Sequence, residues 1–279
     1  IWTASDGQEL TGMLAKPENF DPNKNYPLLV NFYERSSNRL HRHRAPYPHR
    51  STINYTYYLN KGYVIFNPDV PYRVGYPGES ALNAVVSGVI SLISDGFVDP
   101  ERIGVQGHSW GGYQVAHLLT KTDIFRCAES GAPVGNMFSA YGGIRWGSGL
   151  SRMFQYEHTQ SLIGGTIWEY PLRYLENSPL FALDKVNTPV LILHNDQDGA
   201  VPWYQGIEYF MGLRRLGKPA WLLNYNGEPH WPLKRQNRLD FNLRMEQFFD
   251  YYLMDAPMPR WMESGVPAIE QGILPGTDR

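Results

Sequence analysis

Cysteine is nearly absent: Cys127 is the only one in 279 residues. This excludes an internal disulfide framework and a cysteine-rich metal site, and it leaves the compartment open. No apolar run approaches the roughly 18 residues that suggest a membrane-spanning helix. An excess of one charge is also missing. With a formal net charge of -2, neither nucleic acid nor a membrane is called for as a partner. No internal repeat or long low-complexity linker breaks the chain.

What is present suits a sizeable core: 42% hydrophobic and 19% charged residues, with 8 Trp, 19 Tyr and 12 Phe. These are ordinary proportions for a globular protein, and single α/β domains often reach this length. Most of the aromatic residues are expected in the core, and the remainder suit a substrate pocket. The sequence opens at Ile1 inside a strand-like segment, so a native N-terminus further upstream is expected. The lack of a signal peptide is then uninformative.

Apolar runs and turn residues divide the chain. Ile1–Ser5 and Glu9–Lys16 read as strands joined by Asp6-Gly7, a tight-turn pair. Leu28–Phe32, Tyr63–Phe66, Ile103–Gly107, Cys127–Gly131, Val190–His194 and Trp221–Tyr225 read as further strands, the first two of the short, buried kind. Helices are expected over Glu79–Ser94, Trp110–Thr120, Trp203–Leu216 and Arg238–Met254. Strands alternating with helices imply parallel β-α-β units, hence an α/β protein whose mostly parallel central sheet carries helices on both faces. Residues 135–179, rich in glycine and aromatics, break this rhythm and read as a helical and loop insertion over the sheet's C-terminal edge. Residues 256–279 read as a surface tail.

Gly107-His108-Ser109-Trp110-Gly111 matches G-x-S-x-G. Chance supplies roughly 0.15 such matches in a chain of this composition, so its position matters more than the match itself. It lies between a predicted strand and a predicted helix, where small residues on either side of the serine permit a sharp turn. Such a turn lifts the Ser109 hydroxyl above the sheet, next to backbone N–H groups at a helix start. A serine nucleophile needs a base, and the base needs an orienting carboxylate. In this fold the acid and then the histidine follow the serine in sequence. The loop after the Val190 strand offers two acids, Asp196 and Asp198. Only one of the eight histidines, His230, lies beyond them.

The segment Val98–Val105 followed by His108–Gln114 resembles the C-terminal peptidase domain of the prolyl oligopeptidase family, which has dipeptidyl-peptidase-like and acylaminoacyl-peptidase-like members. The likeness runs from about Trp2 to about Met254. It implies the α/β-hydrolase fold and a single catalytic domain over residues 1–279, a fragment lacking an N-terminal β-propeller. It also implies a serine peptidase working through an acyl-enzyme, without metal or cofactor. The family pattern His-Gly-x-x-Asp-x-x-Val, set on His194 and Val201, selects Asp198 as the acid and leaves Asp196 in the loop. Catalysis then falls to Ser109, Asp198 and His230, and the oxyanion to the Trp110 N–H and the Tyr33 hydroxyl. Val134, Met137, Tyr141 and Val201 are implied as substrate-binding residues.

Two departures bear on specificity. Met137 stands where dipeptidyl-peptidase-like members have a tryptophan. Ala200 stands where many relatives have an Arg or Asn that binds a substrate carbonyl. These departures count against proline specificity without excluding it, and a pocket for another uncharged side chain fits at least as well. His108 is expected beside the sheet and His194 as an organiser of the acid loop. Arg39–Arg50, with four Arg and three His (His41, His43, His49), is expected to form a solvated basic loop near the site mouth, facing a propeller or an acidic substrate.

The partners expected are an oligopeptide substrate and an N-terminal β-propeller, with a homodimer left open. Export to the periplasm or outside the cell is favoured over the cytoplasm. A carboxylesterase with the same triad and a non-catalytic binding relative are the rival readings.

Overall fold

The computed structural model describes residues 1–266 and residue 269. Among the described residues, eleven strands are present: β1 (Trp2–Thr3), β2 (Glu9–Leu10), β3 (Gly12–Ala15), β4 (Tyr26–Asn31), β5 (Val64–Pro68), β6 (Val98–His108), β7 (Cys127–Gly131), β8 (Ile144–Arg145), β9 (Leu150–Ser151), β10 (Val190–Leu193) and β11 (Ala220–Leu223). The helices are α1 (Tyr55–Asn60), α2 (Pro77–Ser94), α3 (Trp110–Leu118), α4 (Met137–Tyr141), α5 (Met153–Glu157), α6 (Pro171–Glu176), α7 (Tyr204–Arg215), α8 (Arg235–Leu253) and α9 (Arg260–Ser264). The main sheet has seven strands in the order β11-β10-β7-β6-β4-β5-β3. Only β3 runs antiparallel to its neighbour.

The apolar runs form strands because their alternate residues feed two cores. Leu28, Val30, Val64, Phe66, Val190 and Ile192 join one, while Leu29, Ile65, Leu191 and Leu193 join the other. The first core is closed by Ala81, Val85 and Val89 of α2, Val115 of α3, and Tyr209 and Leu213 of α7. The second is closed by Tyr58 of α1 and by Phe241, Met245, Phe248 and Phe249 of α8. Parallel strands under helices on both faces make this the α/β-hydrolase fold.

Strand order places the functional region. From β4 the chain moves outward to β5, whereas from β6 it moves the other way, to β7. The neighbouring ends of β4 and β6 therefore flank a topological switch point, the crevice where open α/β sheets bind ligands. Tyr33 and Ser109 follow those two ends.

Several elements differ from expectation. The second N-terminal strand is split at Thr11. Glu9–Leu10 pairs with Trp2–Thr3, and Gly12–Ala15 adds to β5. Gly12 makes the change of sheet possible, since a Cβ there would lie 2.8 Å from the Asn67 carbonyl oxygen. Strand β6 begins at Val98 because Val98 already pairs with Tyr26 across a register shift. Helix α1 was not anticipated; Asn54 caps it by accepting from the Tyr57 N–H at 3.1 Å.

Residues 135–179 carry α4, the β8–β9 hairpin, α5 and α6. The expected surface tail is not wholly superficial in its described part. Trp261 and Met262 of α9 are buried, and the Trp261 indole donates to Gln247 Oε1 at 2.9 Å, because an aromatic of this size gains by covering α8. The rest of that tail (267–268 and 270–279) lies outside the described residues. No helix among the described residues is long and apolar enough to cross a membrane.

Candidate active site

The turn from β6 into α3 is built on close backbone approaches. A Cβ on Gly107 would lie 2.5 Å from the Gly111 carbonyl oxygen, and one on Gly111 would lie 2.7 Å from that of Phe32. Ser109, at the turn itself, has φ 62° and ψ -117°. A side chain in that region costs about 1–3 kcal/mol and persists only where its surroundings enforce it. Its N–H is held by the Gly131 carbonyl at 2.7 Å. The next N–H, that of Trp110, belongs to the first turn of α3, where intrahelical partners are lacking.

The loop after β10 supplies a buried acid. Asp198 Oδ1 accepts from the N–H groups of Ala200 and Val201 at 2.8 and 2.9 Å. Oδ2 lies 2.7 Å from His230 Nδ1 and 3.3 Å from His194 Nε2. Burial alone would raise the Asp198 pKa, but hydrogen bonds from His194 and His230 and the attraction of their charge outweigh it. They hold the carboxyl well below the usual range, so Asp198 is an anion at any working pH. His194 Nε2 also faces the Val201 carbonyl at 3.2 Å. With acceptors on both sides, that nitrogen carries the proton. Likewise, donation from His230 Nδ1 to Asp198 leaves His230 Nε2 with the lone pair a general base requires.

Asp196 lies apart from this acid-base pair, and its Oδ1 accepts from the Gly227 N–H at 2.7 Å. Asn195, where the family pattern has glycine, ties the acid loop to the base loop. It donates to the Pro229 carbonyl at 2.8 Å and accepts from the Tyr225 N–H at 3.1 Å. Buried Glu228 fixes the other side of His230 by accepting from the N–H groups of Leu233 and Lys234 at 2.8 and 3.0 Å. Neither bridging role was anticipated, because nothing within the local sequence marks a partner several residues away in another turn.

Ser109 and His230 line one cavity of about 1170 Å³, together with Tyr33, Asn31, His108 and much of the Arg39–Arg50 loop. The Tyr33 hydroxyl accepts from Gln160 Nε2 at 2.7 Å. Desolvation raises its pKa, opposed by hydrogen bonds to Gln160 and Ser109, so it stays a neutral donor near the serine. The Tyr33 carbonyl is held in turn by the Gln114 amide at 2.6 Å and the Tyr72 hydroxyl at 3.1 Å.

Val134, Met137, Tyr141 and Val201 occupy a separate buried cluster with Trp110, Tyr113 and Tyr156; they are not among the cavity's lining residues. Arg152, also buried, joins that cluster to the acid loop. It donates to the carbonyls of Ala140, at 3.1 Å, and Ala200. No group of three or more residues suited to holding a metal occurs among the described residues.

A buried polar row runs beneath the cavity. Asn31 donates to Gln106 Oε1 at 2.5 Å, and Gln106 donates to Glu129 Oε2 at 2.7 Å. Burial pushes the Glu129 carboxyl up to about 8, against a lowering by Gln106. His108 stands edge-on to His230, with ring centroids 4.8 Å apart. Burial, followed by the nearby His230, drives its pKa well down, so His108 packs against His230 as a neutral ring.

The model of the prolyl oligopeptidase family matches residues 75–256. An uncharacterized peptidase of Bacillus subtilis is 26% identical over 90% of this chain and 38% of its own length. Dipeptidyl-peptidase 5 of Porphyromonas endodontalis is 27% identical over 89% of this chain and 36% of its own length. The chain therefore spans under two fifths of these relatives. Among solved structures, the acylaminoacyl peptidase of Pyrococcus horikoshii superposes with a TM-score of 0.74 at 21% identity, covering 92% of this chain and 41% of that one.

Glu129 yields a stability prediction. Its pKa is raised by folding from an ordinary 4.5 to about 8. The associated stability is present in full below pH 4.5 and is lost as pH rises to about 8. Glu129→Gln, neutral at every pH, is expected to melt at a higher temperature than the parent at pH 8–9 and at a similar temperature near pH 4.5. Melting curves offset equally at every pH would contradict this.

Proposed function

Since the chain belongs to the prolyl oligopeptidase family, we propose that it is the catalytic portion of a serine peptidase that hydrolyses peptide bonds of oligopeptides through an acyl-enzyme. The observation that carries this reading is the 2.7 Å contact between His230 Nδ1 and Asp198 Oδ2, in the cavity where Ser109 stands on its strained turn.

On this reading the Ser109 oxygen attacks the peptide carbonyl as its proton passes to His230 Nε2. The Asp198 anion stabilises the imidazolium without taking the proton. The Tyr33 hydroxyl and the Trp110 N–H donate to the oxygen that becomes negative. Collapse breaks the C–N bond, and His230 gives its proton to the departing amine. Water activated by His230 then attacks the ester carbonyl and restores Ser109. The acyl-side residue is uncharged; Val134, Met137, Tyr141 and Val201, buried and outside the cavity's lining, shape its pocket from behind rather than by touching it. No cofactor takes part. In a whole protein as long as its relatives, a further N-terminal domain, a β-propeller on the family pattern, would face the cavity and admit only short peptides.

Aminoacyl and dipeptidyl amides assayed beside simple esters test this reading. Amide hydrolysis is expected, with a fall of about 10⁴-fold or more in Ser109→Ala; cleavage of esters alone would point to an esterase instead. Tyr33→Phe is expected to lower kcat by about 100-fold or more while leaving the melting temperature nearly unchanged. An unaltered kcat would remove Tyr33 from the oxyanion site.

A further inference from the structure

One wall of the cavity is basic and takes no part in acyl transfer. Arg39, Arg42 and Arg44 line it together with His43 and His49, and Arg145 lines it as well. No aspartate or glutamate among the described residues is part of that lining. Among the described residues, Arg39, Arg42 and Arg44 also form no salt bridge. A concave wall carrying one sign of charge concentrates ligands of the other sign. Its effect already reaches a neighbour: the His49 pKa is lowered by burial first and then by Arg50, Arg44 and Arg238.

The loop is anchored at both the aromatic wall and the helix beneath it. The Arg44 guanidinium lies 3.9 Å over the Tyr55 ring, and that of Arg50 lies 4.0 Å over the Trp231 ring. The His49 carbonyl accepts from Asn242 of α8 at 2.6 Å. His49 Nδ1 accepts from the N–H groups of Ser51 and Thr52 at 3.2 and 3.1 Å. Guanidinium groups stacked on aromatic faces keep their N–H edges free for a planar carboxylate.

Position relative to the base identifies which part of a substrate would meet this wall. A histidine that takes the serine's proton returns it to the departing nitrogen, so the leaving half of the substrate lies on the His230 side. Trp231, beneath Arg50, has its ring centroid 5.1 Å from that of His230. The basic loop thus borders the leaving side. The cluster of Val134 and Tyr141, by contrast, packs with Trp110.

We propose that the Arg39–Arg44 segment is a carboxylate subsite for the leaving half of the substrate, favouring peptides with an acidic residue or a free C-terminus just beyond the scissile bond. This rests on the serine peptidase reading for the meaning of a leaving half, but the subsite can be measured by binding alone.

The test uses the full chain carrying Ser109→Ala, so that bound peptides stay intact, with affinities read by fluorescence anisotropy. Two peptide pairs separate the sources of the carboxylate. One pair differs by Glu against Gln on the leaving side, and the other by a free against an amidated C-terminus. At low salt the carboxylate-bearing member of at least one pair is expected to bind about 10-fold more tightly, and the advantage should shrink as salt is added. In Arg39→Ala/Arg42→Ala/Arg44→Ala the advantage should fall to within about twofold, and Arg42→Glu alone should reduce it or reverse it. Equal affinities within both pairs, or an advantage that survives in both variants, would overturn the subsite. If carboxylate peptides bind as expected but the Ser109 protein cleaves no amide, the subsite stands and the peptidase reading falls.

Discussion

The turn that carries Ser109 constrains the whole region around it. A residue with a side chain is held at φ 62° only because strand β6 and helix α3 are fixed on either side by the two cores. Strand β6 is hydrogen-bonded to β4 and β7 along its length, and α3 packs Val115 and Ala116 into the first core. Gly107 and Gly111 then allow backbone to pass where no Cβ would fit. Burial in the sheet, expressed as two apolar layers, thus sustains a local strain of about 1–3 kcal/mol, and the strain keeps the hydroxyl exposed at the switch point rather than folded into the helix.

Electrostatics around His230 follow a similar division between rigid support and open access. The Asp198 side chain is fully enclosed and accepts three hydrogen bonds, two from backbone N–H groups and one from His230, with His194 Nε2 3.3 Å away. The anion therefore costs little to keep and fixes which nitrogen of His230 carries a proton. Beneath it, His108 and Glu129 occupy the same interior but meet burial without a matching charge, and both are neutral there. One charge is kept where it orients the His230 ring, while the groups below supply shape. Asn195 and Glu228 hold the acid and base turns together, so the 2.7 Å contact does not depend on flexible loops alone.

Much of this was legible in the sequence, for reasons visible at particular residues. Short apolar runs such as Leu28–Phe32 and Val190–His194 fall on strands because burial on both faces demands continuous apolarity. The G-x-S-x-G turn and the order serine, acid, histidine are local or ordinal signals that need no contact information, while the choice of Asp198 over Asp196 needed the family pattern as well. Helix α1 escaped because Tyr55–Asn60 is aromatic and unpatterned; its helical state follows from an Asn54 cap and the burial of Tyr58 against Tyr63 and Phe249. The split at Thr11 escaped because alternation looks the same whichever sheet a strand joins. Gln160 reaches Tyr33 from 127 residues away, and the Arg152 link to Ala200 spans 48. No spacing rule encodes such pairs, and they bear most directly on how the loops of Tyr33 and Asp198 are set.

The central claim, that Ser109 is a hydroxyl activated by His230 and Asp198, has a direct measurement. The intact protein is treated with a fluorophosphonate, weighed by mass spectrometry and mapped by peptide digestion. The account predicts one added phosphonyl group on Ser109, formed quickly in the parent protein and far more slowly in His230→Ala. Modification elsewhere in the chain, or equal rates with and without His230, would contradict it.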